Sequence, residues 1–77
     1  MQDSAQAAQT WINDNYNNGF KATRWMPGSI NGEWLLVDDK NKWAFNFNTV
    51  SEQVEDEYDY DEVVEHYGRK LDMWMES

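Results

Sequence analysis

The stretch EWLLVDDKNKWAFNFN, residues 33–48, decides the fold. Residues 33–37 and 42–48 are short runs rich in aromatic and branched side chains, and the polar Asp38-Asp39-Lys40-Asn41 separates them. That is the pattern of an antiparallel hairpin. In the second run Trp43, Phe45 and Phe47 share one face, while Ala44, Asn46 and Asn48 share the other. The first run has no such division: whichever register the turn selects, two of Trp34, Leu35, Leu36 and Val37 must point away from the Trp43 face. Both faces of the sheet are therefore partly apolar. Either helices cover both sides, or one face is kept for a partner.

On the N-terminal side, residues 20–26 form a third candidate strand with looser alternation, closed by the turn signals Pro27-Gly28-Ser29 and Asn31-Gly32. Before it, residues 4–17 read as an amphipathic helix. Ser4 is its N-cap, Ala5, Ala8, Trp11, Ile12 and Tyr16 recur at helical spacing, and Asn17-Asn18-Gly19 is its stop signal. On the C-terminal side, Thr49-x-x-Glu52 has the form of a capping box, with Val54 and Tyr58 on one side of a short helix. Val64, Tyr67, Leu71 and Trp74 make a second apolar stripe, rotated by about 140° from the first, so a break near residues 58–61 is required. Asp59 followed by Glu62 supplies a second capping box there, which starts a longer helix at about Tyr60 and carries it to Met75. The expectation is a single α+β domain over residues 1–77: a three-stranded antiparallel sheet flanked by helices, in the order α-β-β-β-α-α.

Composition narrows the function. A 77-residue chain buries only about 60–65% of its unfolded surface, and the five tryptophans offset this with roughly 150–250 Å² each. Trp11, Trp43 and Trp74 lie on predicted apolar faces and are expected in the core; Trp25 and Trp34 are candidates for an exposed patch. The absence of cysteine rules out disulfides and thiolate metal sites. The first residues lack the basic and apolar regions of a signal peptide, and no apolar run approaches a membrane span, so the expected location is the cytoplasm. A net charge of −9 is repelled by phosphate backbones and anionic lipid, which argues against direct nucleic-acid or membrane binding and for a basic protein partner.

The charge is concentrated. Residues 52–65, EQVEDEYDYDEVVE, hold eight of the fifteen acids and no lysine or arginine. Glu57, Asp59 and Asp61 have the alternate spacing that opens a calcium loop, but Glu62 stands where that loop needs glycine and Gly68 where it needs glutamate. No metal or other cofactor is expected. As a helix, the segment would place Glu52, Glu55, Asp56 and Asp59 on one face, with a charge density comparable to that of duplex DNA. Glu52, Glu55, Asp56, Glu57, Asp59, Asp61, Glu62 and Glu65 are therefore the candidate contact charges, and Tyr58 and Tyr60 the candidate anchors, for a basic nucleic-acid-binding protein. The chain itself is expected as a monomer or dimer.

In size, charge, lack of cysteine and element order, the chain resembles the small acidic phage-encoded inhibitors of host defence, the anti-CRISPR and anti-restriction proteins of DNA-mimic type. The resemblance implies a non-catalytic stoichiometric inhibitor acting in the host bacterial cytoplasm on a CRISPR effector or restriction nuclease. Two other binder classes stand beside it: an immunity protein or antitoxin that neutralises a basic toxin through the same acidic surface, and a small adaptor that binds through the aromatic sheet face and for which the acids do not matter. No enzyme is expected, because His66 is the only histidine and no serine sits in a nucleophile-elbow context.

Overall fold

The hairpin forms in the register Glu33↔Asn48 to Asp38↔Trp43, pairing β2 (Glu33–Asp38) with β3 (Trp43–Asn48). It belongs to a computed structural model that describes residues 4–15, 20–30 and 32–76. The remaining elements are α1 (Ser4–Asn15), β1 (Arg24–Pro27), β4 (Gln53–Tyr58) and α2 (Tyr60–Glu76). The strands form one antiparallel meander, β1-β2-β3-β4, so β1 and β4 are its edges.

The expectation of three strands and two C-terminal helices is thereby corrected. Residues 53–58 are a fourth strand, and only one helix follows. A helix would stack Glu52, Glu55, Asp56 and Asp59 at like-charge i,i+3 and i,i+4 spacings, whereas a strand sends successive side chains to opposite faces. The strand also satisfies the open edge of β3 through the pairs Ala44↔Tyr58, Phe45↔Glu57 and Asn46↔Asp56, then, past a register shift, Phe47↔Val54 and Asn48↔Gln53. Thr49 starts no helix. It donates both its backbone N–H and its hydroxyl to the Gly32 carbonyl, 2.8 Å each.

The two central turns share one construction. The buried Asp38 accepts the backbone N–H groups of Lys40 (3.0 Å) and Asn41 (3.1 Å) on Oδ1 and the Asn41 side-chain amide (2.8 Å) on Oδ2. Ten residues later, Asn48 Oδ1 accepts from Val50 (2.8 Å) and Ser51 (3.1 Å) in the same way. Each turn closes on a residue in the left-handed region, Lys42 at φ 55° and Glu52 at φ 57°. An Asx side chain that satisfies the next two backbone donors is what makes these four-residue loops fold back.

The two-faced sheet is covered on both sides. Beneath α1, Ala8 and Ile12 pack with Phe20, Leu36, Phe45 and Phe47, flanked by Trp11, Trp25, Trp34, Trp43 and Val54. Beneath α2 lies a smaller, mostly aliphatic cluster of Leu35, Val37, Ala44, Val63 and Leu71, with Met26 and Tyr60 at its margin. The helix starts where Asp59 predicts: its carboxylate accepts the Asp61 N–H (2.9 Å) and its carbonyl the Val63 N–H (3.0 Å), an N-cap. Its inward stripe is turned slightly from the one read in the sequence, for Val63 is buried and Val64 only half-buried.

Three further expectations shift. The first strand is Arg24–Pro27 and excludes Phe20, which nonetheless is buried against Phe45 (4.9 Å between ring centroids) and Trp43 (5.4 Å, edge-on). Trp25 and Trp34 pack against the α1-side core, while Trp74 is 43% exposed and meets Trp34 edge-on at 6.0 Å. Residues 16–19, with Tyr16 and the Asn17-Asn18-Gly19 stop signal, lie outside the described residues, as do Asn31 and the side chain of Ser4. Among the described residues no helix is long and apolar enough to cross a membrane.

Candidate functional site

The acidic run occupies three different contexts. Glu52 closes the β3–β4 turn. Glu55, Asp56 and Glu57 are exposed along β4, an edge strand whose outer side has no neighbouring strand among the described residues. Asp56, opposite Asn46, points to the α2 side; Glu57, opposite Phe45, points to the α1 side; Glu55 sits at the register shift. Asp59 caps α2, Asp61 and Glu62 occupy its first turn, and Glu65 follows on its exposed surface. The predicted single helical face of Glu52, Glu55, Asp56 and Asp59 does not exist, because the chain there is a strand.

Much of the repulsion that so dense a run of acids creates is offset locally. Asp59, Asp61 and Glu62 lie at the N-terminus of α2, where the helix dipole favours negative charge by about 0.3–1 kcal/mol each. On β4 the acids are separated by alternation and do what charges on an edge commonly do, which is to prevent pairing with another copy of the strand. What remains is an acidic ridge whose own residues, 52–65, include no lysine or arginine, with Lys42 set against it at the Tyr60 ring.

The two tyrosines in the run diverge. Tyr60 turns inward: its hydroxyl donates to Asp39 Oδ1, its ring lies 5.2 Å from Lys42 Nζ, and it borders the α2-side core. Donation to Asp39, more than burial, holds its phenol pKa above the ordinary value. It is a fixed internal contact rather than an anchor offered outward. Tyr58 is 43% exposed on the α2 side of β4. Its phenol is also held high, first by burial and then by the charges of Asp56, Glu33 and Glu55.

A polar clamp fixes this arrangement. Arg24 forks onto Asp39 (Nε to Oδ2 3.0 Å, Nη2 to Oδ1 2.7 Å) and reaches Asp72 with Nη1 (3.0 Å). Thr23 and Tyr60 donate their hydroxyls to the same Asp39 carboxylate. One carboxylate in the β2–β3 turn thus ties β1 to the start of α2, while Arg24 holds the last third of that helix. The guanidinium keeps the Asp39 carboxyl far below the usual carboxylate range and is itself raised by the pair. A carboxyl depressed in the folded state stabilises above its unfolded value, and the stabilisation disappears as pH falls through the folded value. Arg24→Ala is therefore expected to cost about 1 kcal/mol near neutrality, a modest figure because the pair keeps solvent contact. Urea titrations of the two proteins at several pH values should show that difference shrinking below about pH 4, where unfolded carboxylates take up protons. A difference that stays constant down to the acid limit would remove Asp39 as its source.

Behind the ridge is a groove. α2 lies chiefly over β1, and an open cavity of about 480 Å³ remains between it and the sheet. Leu35, Asn46 and Tyr58 line it from the strands, and Glu62, Val63 and Tyr67 from the helix. His66 and Lys70 also border it, with the Lys70 ammonium 5.9 Å from the Tyr67 ring centroid. Among the described residues no group of three or more His, Asp or Glu side chains is placed to hold a metal ion. The sequence signal for the groove was the excess of apolar residues on both sheet faces; that one helix would leave part of its face open was not legible. No protein-family model, no curated protein and no solved structure matches the chain.

Proposed function

We propose that this chain is a stoichiometric, non-catalytic inhibitor that presents its acidic ridge to the nucleic-acid-binding surface of a basic protein, such as a CRISPR effector or a restriction nuclease in a bacterial cytoplasm. The observation that carries the reading is the position of the acids: Glu55, Asp56 and Glu57 stand on a free sheet edge and run without a basic residue into the exposed first turns of α2. A strand rises about 3.3 Å per residue and alternates its faces, so the three acids spread along about 7 Å of the edge, Asp56 toward one face and Glu57 toward the other, instead of stacking on one helical turn. Steering by such a field speeds encounter with a basic groove, and release of the ridge's own repulsion favours the bound state. Both sheet faces are packed beneath helices, which leaves an adaptor acting through the aromatic face little surface to use.

The test is capture from bacterial lysate on immobilised protein at low and high salt, with bound proteins identified by mass spectrometry. A nucleic-acid enzyme that binds at low salt and is displaced by competing duplex DNA is the expected result. A captured basic toxin would move the function to the immunity-protein class. A partner that persists at high salt and ignores DNA would overturn the mimicry.

A further inference from the structure

We infer that the groove between α2 and the sheet is a receptor for a single arginine side chain, the specific anchor of a basic partner whose general attraction comes from the ridge. The inference deepens the inhibitor reading and rests on it for the partner's chemistry. The groove's volume, about 480 Å³, lies within the range of pockets that enclose small groups. Leu35 and Val63 supply apolar surface for an aliphatic stem. Tyr58 and Tyr67 reach the groove from different elements, and each is a little over 40% exposed, with the Lys70 ammonium 5.9 Å from the Tyr67 ring centroid. Glu62 and Asn46 line the same space, and their side-chain oxygens are hydrogen-bond acceptors.

This combination favours arginine over other cations. A guanidinium stacks on aromatic rings and carries five donors in a rigid plane, so it can bridge a carboxylate and an amide oxygen at once. A lysine ammonium is a point charge and gains less from two separated acceptors. The local field has the right sign, since Asp56, Glu33 and Glu55 all raise the Tyr58 phenol in addition to the effect of burial. The protein already places cations on two of its tyrosines, Lys42 on Tyr60 and Lys70 on Tyr67. Lys70 borders the groove itself, so it occupies part of the ground an incoming guanidinium would take.

The experiment is a titration of the isotopically labelled chain with N-acetyl-arginine methylamide, followed by amide and aromatic NMR shifts. The lysine and citrulline derivatives serve as comparison probes. Expected are saturable shifts confined to Asn46, Tyr58, Glu62 and Tyr67, weaker shifts with lysine and none with the uncharged citrulline. Glu62→Gln should weaken arginine binding about tenfold, as expected for loss of a charge-assisted hydrogen bond. Asp14→Asn, which removes the same charge from exposed α1, should leave it unchanged, and Lys70→Met should tighten it. Equal shifts with lysine spread along the whole acidic run, equal losses in the Glu62 and Asp14 variants, or no saturable shift would each overturn the inference. The probe is free arginine, so its result reads the groove alone. A lysate that yields no basic partner would overturn the inhibitor reading and leave a saturable groove standing, and the reverse outcome would be equally distinct.

Discussion

Phe45→Ala is expected to cost about 3–5 kcal/mol, the range for removing a fully buried phenylalanine when its surroundings cannot collapse into the space. Phe45 has no exposed surface and sits in the middle of β3, between Leu36 on β2 and Glu57 on β4. Its ring lies 4.9 Å from Phe20 and 4.7 Å from Trp43, so truncation removes two aromatic contacts as well as the buried area. A chain of this length has a total stability of roughly 4–12 kcal/mol. The variant should therefore lose from about a quarter to all of that stability, read as a much lower urea midpoint and a lower temperature for the loss of near-UV circular dichroism. A cost below about 1.5 kcal/mol, the range of volume-conserving swaps, would mean that the α1-side cluster is not the main core.

Replacing Glu55, Asp56, Glu57 and Glu65 together by lysine is expected to abolish capture of the basic partner, a loss of at least about 100-fold if each reversed contact is worth a rim charge pair or more. Each reversal adds two units, so the net charge of −9 becomes −1. All four side chains are exposed. The choice leaves Asp59 in place, because lysine there would remove the cap of α2 and cost about 1 kcal/mol of stability on its own. It also leaves in place every residue that lines the groove, Glu62 included, although reversing Glu55 and Asp56 removes part of the negative field at Tyr58. The thermal midpoint should be unchanged or higher, since the three lysines on β4 still repel one another but attract the acids that remain at Glu52, Asp59, Asp61 and Glu62, and the net charge comes close to zero. Partner binding that survives in a variant with an intact fold would show that the ridge is only a protected sheet edge.

Local chemistry was enough to place several elements. The residue 33–48 hairpin follows from alternation and a polar turn, and α2 follows from Asp59 as a cap and an apolar stripe with helical period. The candidate charges were legible as residues but not as a surface. Residues 53–58, QVEDEY, hold Val54 and Tyr58 four apart, which suits a helix, and β-forming side chains near both ends, which suits a strand. Nothing within six residues distinguishes the two. The Asn48 turn that returns the chain to β3 was the available clue, since it repeats the Asp38 turn ten residues earlier.

By itself, then, the sequence determined a small α+β chain with a hairpin at its centre, a helix at each end of the sheet, a sheet partly apolar on both faces, and an acid-rich segment without counter-charges. The tertiary structure alone decided that this segment is an edge strand, that Tyr60 turns inward while Tyr58 stays out, that Arg24, Asp39 and Asp72 close a clamp across separations of 15 and 48 residues, and that α2 leaves a groove behind the ridge. The physical reason is the range of the interactions. Caps, Asx turns and alternation act within a few residues and are written locally, whereas the choice for residues 53–58 depends on the unpaired backbone of β3 and on room for Val54 against the α1-side core, neither of which exists until the rest of the sheet has formed.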